Sequence, residues 1–272
     1  MRNYRNGLPS KAGWKDPEFI SYAQELHLVN AQSGIRNRLD WQKVMVLKVL
    51  NEKRLINPGS MILNIAGGTD VINYYLASRI NKLITIDLYD NSWESCPKDM
   101  VTNPWKYPPF DYKRENLIAM NMDARNLLFE RDTFDAVIII DSLNYMGDFE
   151  QAVSIISGVH RILKKGGILI LTVEFTFEPV PSGELYFTNE SLMDFLSRIP
   201  FLLEHNPILD AGEFAHKDRA NPVLPPRTMK HPTAIRAGTI GVRPGLLKRN
   251  FPYFRILRPK LFPLLLVLLS DK

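Results

Sequence analysis

The chain has 272 residues, 45% of them hydrophobic and 23% charged, which supplies a sizeable core and excludes a mainly disordered protein. Its net charge of +5 is spread along the sequence, a balance that admits nucleic acid, a phosphorylated substrate or an anionic membrane as partner without selecting among them. The single cysteine, Cys96, rules out an intrachain disulfide and a thiolate metal cage, so a reducing cytoplasm is the expected compartment.

In chain order, residues 1–35 are polar, carry turn signals at Gly7-Leu8-Pro9 and Lys15-Asp16-Pro17, and lack the apolar run of a signal peptide. Helical spacing over 39–55 ends at Asn57-Pro58-Gly59, which makes 1–55 an N-terminal arm and helix. Short β-branched runs at 61–65, 82–88, 117–122, 134–140 and 168–175 are expected as strands covered on both faces. Helices are expected at 70–80, 149–163 and 189–198, with a Pro- and Trp-rich break at 91–111 and a further strand at 201–209.

Such alternation implies an α/β class: a Rossmann-like, seven-stranded, mostly parallel sheet with helices on both faces. Residues 56–209 form its core. Residues 210–272 add a basic, turn-rich lid or loop (210–250) and a final strand of the same domain. The apolar run 261–269 is about half the length of a spanning helix.

Ligands of open parallel sheets sit beyond the carboxyl ends of the strands. The first strand runs into Ala66-Gly67-Gly68-Thr69-Asp70, a bend of small residues that opens a helix and lets a ligand approach the backbone. Nineteen residues after Gly68, Asp87 closes the second strand, where a carboxylate can accept both hydroxyls of an adenosine ribose. The glycine spacing that cradles a pyrophosphate is absent, and Asp70 would repel phosphate. An ammonium and a sulfonium, by contrast, tolerate a nearby anion. Asp70 equally suits a helix N-cap.

Four segments in register carry a resemblance to class I S-adenosylmethionine-dependent methyltransferases, of the small-molecule or glycan-tailoring type. Residues 63–69 resemble the first motif of that family, in a degenerate form, and Asp87 its ribose-binding acid. Residues 122–129 are similar to the segment whose acid, here Asp123, faces the adenine amine. Residues 134–139 and 162–169 resemble the fourth strand and the basic Gly-Gly turn into the fifth. Asn64, Ala66 and Asp70 depart from the pattern, standing where an acid and two glycines are usual.

The resemblance implies S-adenosylmethionine as cofactor, held by Asn64, Ala66, Gly67, Gly68, Asp87, Leu88, Asp123, Ala124, Asp141 and Ser142. In-line methyl transfer needs a held nucleophile and, for a hydroxyl, a base; Asp141 is the candidate base and Tyr145 the residue that orients substrate. The expected reaction is O- or N-methylation of a small molecule or saccharide. Trp93, Trp105 and Tyr107 are candidates for an acceptor wall, Asp135 for a structural role, and the five histidines lack metal-ligand spacing. A nucleic-acid methyltransferase would show a clustered basic stripe, which is missing. The altered first motif also suits a non-catalytic scaffold. The tail 248–269 suits a core strand entered through a basic loop, with peripheral membrane contact as the functional alternative.

Overall fold

The structure, a computed structural model, describes residues 8, 15–28, 38–178, 185–205, 207, 262–270 and 272. Helices α1 (Pro17–Glu25) and α2 (Arg38–Glu52) precede the alternating core: β1 (Met61–Ile65), α3 (Val71–Ala77), β2 (Lys82–Asp87), β3 (Leu117–Asn121), β4 (Phe134–Ile140), α4 (Phe149–Ile162), β5 (Leu163–Phe175) and α5 (Asn189–Arg198). Two further strands, β6 (Leu202–Leu203) and β7 (Phe262–Leu269), complete a seven-stranded sheet of order β3-β2-β1-β4-β5-β7-β6. The first five strands of that order are parallel, and β7 runs antiparallel to both β5 and β6.

Alternation along the strands divides the core in two. Ile62, Ile138, Ile170 and Val267 face a layer made by α1, α2 and α3, where they meet Phe19, Leu47 and Leu76. Their neighbours Leu63, Ile139, Leu171 and Leu266 face the other layer and pack on Ile155 and Val159 of α4 and Phe195 of α5. Both faces are therefore dry, which is why the strands read as unbroken apolar runs.

The helices start where local chemistry dictates. Asp16 caps α1 ahead of Pro17, and Lys48 of α2 reaches back to Glu18 (2.9 Å) and Asp16 (3.5 Å), tying the two helices together. Asp148 and Gln151 close a reciprocal capping box on α4, and Thr188 and Ser191 do the same on α5. Asp135, at the strand entrance, accepts from Met61 N (2.8 Å) and pairs with Lys164 (2.8 Å), the structural role expected of it.

Several expected boundaries shift. β5 begins at Leu163 rather than 168, because Lys164-Lys165-Gly166-Gly167 is drawn into the strand through a register irregularity against Phe134 and Ala136, with Gly166 supplying a φ of +71°. Of the strand expected over 201–209, Leu202–Leu203 pair as β6 and Glu204 and His205 form a bend, while 206, 208 and 209 lie outside the described residues. Helix α3 ends at Ala77, where the Ser78 hydroxyl donates back to Tyr74 O.

The final strand forms as expected. Leu264–Leu268 are buried between the two helical layers, so this part of the tail has no apolar side chains to offer a membrane. Residues 248–261 and the lid expected over 210–250 lie outside the described residues. Among the described residues, no helix is long and apolar enough to cross a membrane.

If the tail is integral to the core, Leu266→Ala lowers unfolding free energy by about 2–5 kcal/mol, whereas Leu202→Ala, 58% exposed on the edge, changes it by less than about 0.5 kcal/mol. Denaturant midpoints of the two variants check this.

Candidate active site

The strand order reverses between β1 and β4, and a cleft of about 580 Å³ opens at their carboxyl ends, a size within the range of small-molecule sites. Register sets the floor: Ile65 is level with Ile86 of β2 and Ile139 of β4, so the turns after these three strands project side by side.

The turn after β1 is the tightest part of the wall. Ala66 sits at φ +53° and Gly68 at φ +44°. A Cβ on Gly67 would come within 2.4 Å of Thr85 Oγ1 and 2.6 Å of Asn64 Nδ2, and one on Gly68 within 2.3 Å of Ser95 O, so only glycine fits either position. Ala66 holds a left-handed backbone of the kind glycine adopts freely; the strain is of order 1–2 kcal/mol.

Below the turn lies a buried amide ladder. Asn64 Nδ2 donates to Asn73 Oδ1 (2.8 Å), and Asn73 Nδ2 donates to the carbonyls of Gly67 (3.0 Å) and Gly68 (3.2 Å). The Tyr89 hydroxyl adds a donor to Gly68 O at 3.3 Å. Above it, Thr69 N donates to Ser95 O (2.9 Å), so the insertion after β2 clamps the bend from the solvent side.

Asp87 meets this turn directly. Its Oδ2 accepts from Gly68 N at 3.1 Å and its Oδ1 from Leu88 N at 2.8 Å, and the Cys96 thiol lies beside the carboxylate. Burial raises the Asp87 pKa above the usual carboxylate value, against the lowering effect of these donors. Burial likewise pushes the Cys96 thiol up to about 12, with Asp87 adding to the effect, so the sulfur keeps its proton.

Farther along, Met122, Asp123 and Ala124 line the cleft after β3. Arg125 donates twice to Asp123 at 3.0 Å and once at 2.5 Å, and this hydrogen bonding lowers the Asp123 pKa. On the opposite wall, Asp141 follows β4 at φ +51° and is 7% exposed, with its backbone N–H held by Thr172 O (3.2 Å) and Oγ1 (3.0 Å). Gln42 of α2 donates to Asp141 Oδ1 at 3.3 Å. Ser142 turns its hydroxyl back onto Ile140 O (2.6 Å). Tyr145, 45% exposed at the mouth, stands edge-on to Trp93 with centroids 5.7 Å apart.

The structure thus brings Ala66, Gly67, Gly68, Asp87, Leu88, Asp123, Ala124, Asp141, Ser142 and Tyr145 to one cleft. Asn64 is placed elsewhere. Strand alternation turns it toward α3, where it is 2% exposed and engaged with Asn73 beneath the bend. The aromatic insertion also divides: Trp93 lines the cleft, but Trp105 lies over the Arg114 guanidinium and Tyr107 bonds to Asp99, away from it. Asp70 caps α3 through Ile72 N (3.1 Å) and also lines the cleft, joined by an ion pair to Lys43. Sequence reasoning missed Lys43, Cys96 and Arg125; only Arg125, two positions from Asp123, carried a local signal.

Residues 63–171 match the family described as "Methyltransferase domain". The matched segment is thus similar to methyltransferase domains of the class I, S-adenosylmethionine-dependent kind, and it contains the cleft walls after β1, β2, β3 and β4. Among curated proteins, the ubiquinone/menaquinone biosynthesis C-methyltransferase UbiE of Hydrogenovibrio crunogenus is 30% identical over 123 residues, 44% of each chain. The protein of the same name from Xanthomonas oryzae pv. oryzae is 28% identical over 151 residues, 55% of this chain and 54% of that one. The chain spans about half the length of these relatives. Among solved structures, a SAM-dependent methyltransferase from Methanosarcina mazei aligns over 81% of this chain and 96% of its own, with 15% identity and a TM-score of 0.47.

The cleft fits the cofactor of this class: glycines where a backbone must be approached, a carboxylate placed for paired hydroxyls, and a charge pair near the first turn. Asp87→Ala should weaken S-adenosylhomocysteine binding by ~1–3 kcal/mol. Because the Asp87 pKa is raised, affinity should also fall as pH is lowered and the carboxylate gains a proton, a dependence that Asp87→Asn removes. Calorimetry on the full chain at several pH values measures both.

Proposed function

We propose that the chain transfers the methyl group of S-adenosylmethionine to an oxygen or nitrogen of a small molecule or saccharide. The observation that carries this reading is the placement of the Asp141 carboxylate in the cleft wall after β4, across from the 66–69 bend, with the Tyr145–Trp93 aromatic pair at the mouth. The bound cofactor supplies an electrophilic methyl on a sulfonium. Bound there, it would give up that methyl to the acceptor's lone pair as its carbon–sulfur bond breaks, the electrons remaining on sulfur in the released S-adenosylhomocysteine.

The chain's own residues position and deprotonate. Tyr145 and Trp93 offer flat apolar faces to a ring-bearing acceptor and shield the reacting centre from water. Asp141 takes the proton of an acceptor hydroxyl. Its backbone is fixed by Thr172 and its side chain by Gln42, so the carboxylate is oriented before an acceptor arrives. The buried ladder from Asn64 to Gly68 holds the altered first motif in the shape the cofactor would need.

A carbon acceptor is the second reading. It is favoured by the two UbiE relatives, whose names specify C-methylation. A ring carbon beside a phenolic oxygen needs the same loss of a proton, so Asp141 would serve either outcome.

Methyl transfer to sugars, amines and phenols is measured as S-adenosylhomocysteine release. Asp141→Asn should lower turnover on a hydroxyl acceptor by about 10²–10⁴, a larger loss than any in cofactor affinity measured on the same variant by calorimetry. Mass fragmentation separates O-, N- and C-methyl products. A chain that binds cofactor yet releases no S-adenosylhomocysteine with any acceptor would overturn the enzymatic reading.

A further inference from the structure

Two oppositely charged side chains stand together in the cleft wall above β1, and the cofactor's ribose and adenine do not account for them. Lys43 Nζ and Asp70 Oδ2 are 3.1 Å apart, with side chains 18% and 20% exposed, and both line the cleft. Asp70 spends its other oxygen on the cap of α3, so its position is fixed. Lys43 is carried by α2, one helical turn beyond Leu39, which lines the same cleft. Burial lowers the Lys43 pKa, but the Asp70 carboxylate outweighs that and holds it above the usual lysine value, so the ammonium is charged.

The remaining polar groups divide the cleft by chemistry. Asp87 and Asp123 lie after β2 and β3, on the side assigned to ribose and adenine. Lys43 and Asp70 lie at the β1 turn, where the ligand's other end must fall. That end of S-adenosylmethionine is an α-amino acid, with a carboxylate and an ammonium on one carbon.

We propose that Lys43 is the carboxylate anchor for the amino-acid end of the cofactor, with Asp70 receiving its ammonium. This rests on the cofactor reading above. The zwitterion inserts its two charges against two of opposite order, and the array of four alternates in sign. Lys43 exchanges part of its bond to Asp70 for one to the incoming carboxylate and stays paired throughout. Without Lys43, the ligand carboxylate would lie near Asp70 in a half-buried site with no cationic side chain at that turn among the described residues lining the cleft, an arrangement that costs binding rather than merely failing to add to it. The assignment gives the N-terminal helix a direct part in selecting a ligand with an intact amino-acid end. The adjacent Gln42 meanwhile reaches the opposite wall at Asp141.

The test is a binding cycle on the full chain. Wild type is titrated with S-adenosylhomocysteine and with 5′-methylthioadenosine, which keeps the nucleoside and the thioether but has no amino acid. Lys43→Met should weaken S-adenosylhomocysteine at least tenfold, change 5′-methylthioadenosine less than threefold, and leave the melting temperature of the free chain within a few degrees. Lys43→Arg should retain most of the affinity for both. Decarboxylated S-adenosylmethionine offers a second measurement on wild type: it should bind at least tenfold more weakly than S-adenosylmethionine, and Lys43→Met should abolish that difference. Equal losses for both nucleosides, or undiminished S-adenosylhomocysteine binding in Lys43→Met, would overturn the anchor while leaving the cofactor reading intact. A wild-type chain that binds none of these nucleosides would overturn the cofactor reading itself.

Discussion

The hydrogen bond from Gly68 N to the Asp87 carboxylate is the contact on which the site depends. It joins the turn after β1 to the end of β2, two segments 19 residues apart, and so fixes where a nucleoside can lie. The turn itself is made of alanine, glycine, glycine and threonine, three of which have no polar side chain to hold it. Its shape is imposed from below by Asn73, from the side by Asp87 and from above by Ser95. A backbone carrying left-handed Ala66 would otherwise relax, because its strain is offset only while those bonds persist.

Around that contact the sheet is a rigid base and α2 a cross-brace. The same helix buries Val44 and Leu47 in one core layer, ties α1 through Lys48, places Lys43 on the cleft wall and sends Gln42 to Asp141, while Lys53 just past its end meets Glu204. Its packing and its polar reach cannot be varied independently. A substitution that rotates α2 to suit the core also moves both groups at the site.

Much of this was legible beforehand because the strands are buried on both faces, and a run such as 134–140 has no other home in a chain of this size. The bend at 66–69 and Asp87 were legible for the same reason, since strand ends in a parallel sheet converge by topology. Asn64 was misplaced because motif position does not reveal which way a strand residue points; period-two alternation sends it under the bend to Asn73. Lys43 and Cys96 left no trace, as their proximity to Asp70 and Asp87 arises from packing between separate segments. Aromatic content alone could not divide Trp93 from Trp105, which part company only because the insertion folds back on itself.

The order of the last strands has a consequence for how the molecule is made. β7 pairs with β5 on one side and β6 on the other, yet it follows β5 by the entire stretch from 176 to 261. Until residues 262–269 arrive, β5 presents a bare row of amide and carbonyl groups, flanked by the apolar side chains of its two faces. During synthesis at about 5–20 residues per second, that edge is open for several seconds, during which any extended apolar segment can pair with it. Completion of the sheet is therefore a late, long-range event, and the interval before it is when the nascent chain is most in need of protection from its neighbours.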